Sequence, residues 1–234
     1  DPLWSRGLGD VYKRQHLRDL TQFLAELSEN NNRAWFVMNK PRYDILRVEF
    51  LELVTKLIAD LGKFDPAVAD CNPKKALFRI NRDMRFSKEK IPYKTHFSAA
   101  INASGLKRPH QGGGPTYYFH INETGTLLIA AGEWMPPPER LRAIRQHVID
   151  DAAGFTKLLK NKKLKETYGE LQEEGKLSRP PKGFDADVPH LEYIKLKNFI
   201  VWHELDVRKV SDLGKMLASD FKDAYPLVTW LRQA

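Results

Sequence analysis

The chain of 234 residues holds a single cysteine, Cys71, which excludes a disulfide within the chain and a thiolate metal centre. Cys71 is followed by Asn72 and Pro73 with no companion that would mark a nucleophile, so it reads as a packed or loop residue. Apolar runs fall far short of the roughly 20 residues that cross a bilayer, and no charged-then-apolar leader opens the sequence. A cytoplasmic protein with no membrane partner is therefore expected. Also missing are a G-x-S-x-G elbow, a phosphate-loop motif, a dinucleotide fingerprint and an H-E-x-x-H or H-x-H pair. Histidines 96, 120 and 203 each fall on a strand-like run, but their spacing sets no ligand geometry. No metal is assigned, and no motif indicates a cofactor.

What the chain does have is positive charge gathered in one place. Between Lys74 and Lys94 eight basic residues stand against two acidic ones, and this window supplies +6 of the chain's net +8. A field so local calls for a negative partner rather than serving as a solubilising coat. Arg79, Arg82, Asp83 and Arg85 fall within seven residues, and a guanidinium fork grips carboxylate or phosphate with two hydrogen bonds where an ammonium acts as a point charge. Two readings stand side by side. The arginines hold a ligand, or Asp83 neutralises them in an internal ion network that pins a turn.

Strand periodicity puts Phe78 and Ile80 on one face and Leu77, Arg79 and Asn81 on the other. Arg79 and Arg82 then differ in parity, so a turn or bulge between them is required before both meet one ligand. On the returning run Tyr93, Thr95, Phe97, Ala99 and Ile101 share a face, leaving Lys94, His96 and Ser98 opposite. We expect a hairpin with Arg79, Lys94 and His96 on its polar face and Arg82, Asp83, Arg85 and Lys90 in its loop.

The run R-x-x-R-D-x-R-F-S-K-x-K-x-P-Y-K, from Arg79 to Lys94, resembles the hallmark of an uncharacterised, mainly bacterial family catalogued as domain of unknown function 2461. NNNRAWFVMNKPRYD, AAGEWMPPPERLRAIR and LKNFIVWHEL are similar to other parts of that family, so the resemblance spans nearly everything after residue 15. Glu89 departs from it, since Asp or Asn is usual there, and no role is carried onto that position. The resemblance implies a single-domain unit and brings no reaction with it.

Elsewhere the pattern is helical at both ends. Leu17, Leu20, Leu24 and Leu27 form the stripe of an amphipathic helix closing near Ser28. Asn30, Asn31 and Asn32 supply a stop and the next cap, or else present amides beside Arg33 and Trp35 to a ligand. A long helix is expected from about Pro41 to Gly62. Residues 105–114 read as a mobile polar loop placed to close over a site. TYYFHIN and TLLIAAG pair about a Glu123-Thr124-Gly125 turn. At the exit of the second strand Glu133 is a candidate general base and Trp134 a ligand contact beside Gly132, or else Trp134 seals the sheet edge. Residues 151–180 read as charged helix, with KNKKLK a solvated face lacking aromatics to stack on bases. LKNFIVWHEL is a last strand, and two C-terminal helical segments break at Pro226.

SRGLGDVYKRQ, residues 5–15, resembles the conceptual translation of a transposon-derived sequencing adapter, so residues 1–15 are expected not to be native and residues 16–234 to form one domain. The fold expected is α+β, a mostly antiparallel sheet of about five strands packed by N- and C-terminal helices. The function expected is a basic cleft for a phosphate- or carboxylate-bearing small molecule. Arg79, Arg82, Arg85, Lys90, Lys94 and Trp134 are the ligand-binding candidates, and Asp83, Tyr93, His96 and Glu133 the candidates for proton transfer. The alternative is a non-catalytic nucleic-acid or protein binding module using the basic hairpin 79–96. Oligomeric state is not legible in the sequence.

Overall fold

The computed structural model describes residues 3–83, 91–105 and 113–234, with side chains from residue 15 onward. The N-terminal leucine stripe lies on helix α1 (Leu3–Glu29), where Leu20, Leu24 and Leu27 are buried together with Phe23. The three asparagines that follow divide the work. Asn30 returns a side-chain hydrogen bond to the carbonyl of Glu26, and Asn32 accepts from the Trp35 N–H to start α2 (Arg33–Gly62). Asn31 both donates to and accepts from the backbone of Tyr93, at 3.0 Å each way.

Helix α2 begins eight residues before the expected start at Pro41, and Pro41 lies inside it. Proline removes one N–H and strains the carbonyl four residues earlier. That carbonyl belongs to Val37, which is exposed to solvent, while Phe36, one position before, is buried and stacks on Tyr93 at 4.1 Å. The added turns bury more than the proline disrupts. Helix α8 (Leu213–Arg232) behaves alike, running unbroken through Pro226 where two segments were expected. Phe221, Ala224, Leu227, Val228 and Leu231 form one continuous buried face across the proline.

Between these helices lies a four-stranded antiparallel sheet in the order β1 (His96–Ile101), β2 (Thr116–Asn122), β3 (Thr126–Glu133) and β4 (Phe199–Asp206). The protein is α+β, with four strands rather than five. Leu77–Asn81 runs beside β1 and the residues just before it, meeting them at the isolated bridges Leu77↔Ala99 and Asn81↔Tyr93 without adding a strand to the sheet. Four steps on one side face six on the other, so a regular ladder cannot continue. The expected alternation fails there too: Leu77 and Ile80 are both buried, and Phe78 is half-buried. β2 and β3 pair about the expected turn, with Gly125 at φ 82 and the Asn122 side chain accepting the N–H groups of Thr124 and Thr126.

The connection from β3 to β4 carries the short helices α4 (Pro138–Asp150), α5 (Ala152–Leu159), α6 (Lys162–Tyr168) and α7 (Leu191–Ile194); another, α3 (Pro73–Ala76), precedes β1. The charged segment 151–180 is helical only as far as Tyr168, because Gly169 at φ 75 turns the chain out of the helix. No helix among the described residues is long and apolar enough to cross a membrane.

One face of the sheet, with Phe97, Ala99 and Ile101 from β1, Tyr117, Phe119 and Ile121 from β2, and Phe199 and Val201 from β4, is buried in the core that α1, α2 and α8 share with the sheet. The opposite face is left largely uncovered by them, and the functional reading turns on it.

Candidate functional site

Registers fix which residues stand side by side on the uncovered face. Ala100 lies opposite Tyr118, Tyr118 opposite Ala130, and Ala130 opposite Trp202, so small and large side chains alternate across the four strands. The neighbouring row places Ser98, His120, Leu128 and Glu204 in line. Above the small residues lies a cavity of about 500 Å³, spanning all four strands from Phe78 on the β1 side to Trp134 and Glu174 on the far side. That volume is in the range of small-molecule sites.

The far wall is built by the turn after β3. Gly132 has φ 123, and a Cβ there would lie 2.2 Å from the carbonyl oxygen of Phe199, so only glycine permits the close approach of β3 to β4. Met135, two residues past the strand, is held at φ 49, and its N–H donates to Asn198 Oδ1 at 2.8 Å. Between them Trp134 meets Trp202 edge to face, with centroids 5.8 Å apart.

Glu133 borders the cavity with 4% of its surface exposed. Its carboxylate accepts Arg140 Nε on both oxygens at 3.1 Å and Arg140 Nη2 at 2.5 Å. Arg140 also donates to the carbonyls of Leu231 and Ala234. The pair ties the start of α4 to the end of α8, which suits Glu133 to anchoring better than to taking a proton.

The near side is polar. Tyr118 Oη and His120 Nδ1 are 3.2 Å apart, and the His96 and His120 rings lie 5.3 Å centre to centre. Burial holds the His96 imidazole down at about 4, helped by His120 and by the positive charges of Lys94 and Arg82, against the pull of Glu123. His96 is thus neutral at pH 7. Burial lowers His120 as well, opposed by Glu204 and Glu123. His203, the third strand histidine, points to the helical side and meets Asp220 at 3.0 Å. The three imidazoles do not converge, and among the described residues no three His, Cys, Asp or Glu side chains group as metal ligands would.

The other sequence candidates scatter around this frame. Lys94 Nζ sits 5.0 Å from the centroid of Phe78, half-buried at the β1 edge. Arg79, Arg82 and Asp83 are exposed and do not line the cavity. Tyr93 is buried, its ring stacked on Phe36 and its backbone clamped by Asn31, so it belongs to the core. Arg85 and Lys90, like residues 106–112 of the expected mobile loop, lie outside the described residues. Sequence reasoning missed Phe78, Tyr118 and Trp202 as cavity residues. The signal was present in TYYFHIN, where a period of two sets Thr116, Tyr118 and His120 apart from the apolar Tyr117, Phe119 and Ile121.

Neither a curated protein nor a solved structure matches the chain. The model of the family described as conserved hypothetical protein (DUF2461) matches residues 19–230, and with nine-tenths of its length covered the chain belongs to that family.

Proposed function

We propose that the protein binds a small phosphate- or carboxylate-bearing molecule at the cavity of the uncovered sheet face, with the anion toward β1. The observation that carries this reading is electrostatic. The positive charges of Lys94 and Arg82 act on His96, and His96 meets His120, a cavity residue. An anion at that edge would face cationic groups within a partly desolvated setting, where each charge-assisted hydrogen bond is worth about 1.5–3 kcal/mol. Arg79 stands in the same segment, and Arg85 and Lys90 follow in the same stretch of sequence. If the ligand reacts, His96 stands next to the cavity residue His120 as a neutral imidazole. A cytoplasmic setting accords with the lone thiol of Cys71.

A thermal-shift screen of nucleotides, phosphorylated metabolites and carboxylates, run on wild type and Arg82→Ala, tests the proposal. Stabilisation that the substitution abolishes is expected. Its absence across the screen rejects the reading.

The exposure of Arg79 and Arg82 favours a second reading, in which the basic segment lies along nucleic acid. Binding would then weaken steeply between 50 and 200 mM salt. A flat response in a filter assay removes nucleic acid as the partner.

A further inference from the structure

We infer that the body of the ligand is a planar aromatic or heteroaromatic ring system, seated over Ala100, Ala130 and Gly132 against Trp202 and Tyr118. The inference rests on the preceding anion-binding reading only for placing the ligand's charged group toward β1. The ring is argued from different residues.

The slot comes from register. Tyr118 and Trp202 stand on β2 and β4 in the same cross-strand row, with Ala130 of β3 between them. Two strand spacings separate the large residues by roughly 9–10 Å, so a ring over Ala130 contacts both. Ala100 continues the low floor on the other side of Tyr118. Two of the chain's five tryptophans border this one cavity, and both keep part of their surface exposed to it.

The turn that aims Trp134 is held under strain. Met135 is a non-glycine residue in the left-handed region with 65% of its surface exposed. Its own packing therefore does not compensate the strain of that conformation. The Asn198 hydrogen bond and the glycine at 132 hold it, and their combined effect is to set Trp134 against Trp202 at the cavity wall. Strain retained to orient a half-exposed indole fits a binding wall. Apolar atoms dominate the lining, and the Tyr118 hydroxyl already meets His120. An apolar ring body matches that surface, and a hydroxyl-rich one such as a sugar does not.

Isothermal titration calorimetry with 2-naphthoate, octanoate and 2-naphthalenemethanol separates the ring from the charge. We expect 2-naphthoate to bind saturably and octanoate at least tenfold more weakly. Trp202→Ala should weaken 2-naphthoate at least tenfold. Ala130→Leu, which fills the floor from the cavity side without entering the core, should do the same if Trp202→Ala does not fold. Octanoate binding as tightly as 2-naphthoate overturns the ring assignment and leaves the anion reading standing. If 2-naphthalenemethanol matches 2-naphthoate, the ring assignment is supported and the anion reading fails. No saturable binding of 2-naphthoate, or binding that Ala130→Leu leaves unchanged, overturns the inference.

Discussion

Asp65 and Arg232, 167 positions apart, form a two-pronged ion pair in which the two terminal guanidinium nitrogens, Nη1 and Nη2, meet carboxylate oxygens at 2.7 Å. Asp65 is 1% exposed, and the Tyr117 hydroxyl of β2 donates to the same carboxylate at 2.8 Å. Burial, reinforced by the Asp65 charge, drives the Tyr117 phenol well above its usual range, so it stays protonated and keeps donating. The trio fastens the end of α8 to the turn after α2 and to the sheet. Asp65→Ala leaves a guanidinium without its partner and is expected to destabilise by about 3–5 kcal/mol in urea unfolding. A double substitution with Arg232→Met should recover part of that loss, and a strictly additive result would show that the two residues are not coupled.

The Asn31 clamp on Tyr93 makes a second prediction. Two hydrogen bonds to backbone that is partly shielded from water are lost in Asn31→Ala, at a cost of about 1–3 kcal/mol. Faster amide exchange at Tyr93, with α1 unaffected, is the accompanying sign. Unchanged exchange there would mean that the segment before β1 is held by other contacts.

Acid should loosen the near side of the cavity. Folded His96 holds its proton only below about 4, whereas the unfolded chain binds one near 6.5. In that window the unfolded state carries more protons, so stability is full above pH 6.5 and declines as pH falls toward 4. His120 is shifted the same way. The expected loss from His96 is of the order of 2–3 kcal/mol, and His96→Gln should flatten the stability curve between pH 6.5 and 4. A variant with the wild-type slope would move the effect to other groups.

Glu133 separates anchoring from catalysis. Glu133→Gln breaks a buried pair with Arg140 and is expected to cost about 3 kcal/mol of stability, read as a lower urea midpoint. Unaltered stability would return Glu133 to the proton-transfer candidates.

Much of the architecture was legible locally. The leucine stripe of α1, the β2–β3 turn and the strand in LKNFIVWHEL all follow from spacing and turn chemistry that a few neighbouring residues contain. The Asn32 cap is equally local. Misreadings arose where distant packing overrode a local rule. Pro41 and Pro226 are breakers by their own chemistry, yet each sits in a helix whose other face gains enough burial to continue. Leu77 and Ile80 broke alternation because the run beside β1 has unequal lengths on its two sides. The arginine-rich segment announced itself by charge, while Tyr118, Ala130 and Trp202 could not, since each is ordinary in its own strand and they meet only through register.

The order of residues alone determined that both ends are helical, that the middle pairs as antiparallel strands, that no disulfide forms within the chain, and that positive charge concentrates between Lys74 and Lys94. Tertiary structure decided which face of the sheet the helices cover, and so where the cavity lies and which aromatic side chains wall it. The reason is one of range. Periodicity and turn preference act over a few residues, whereas covering one face of a sheet is chosen by apolar burial summed over segments far apart in the chain, as the joining of Asp65 to Arg232 illustrates.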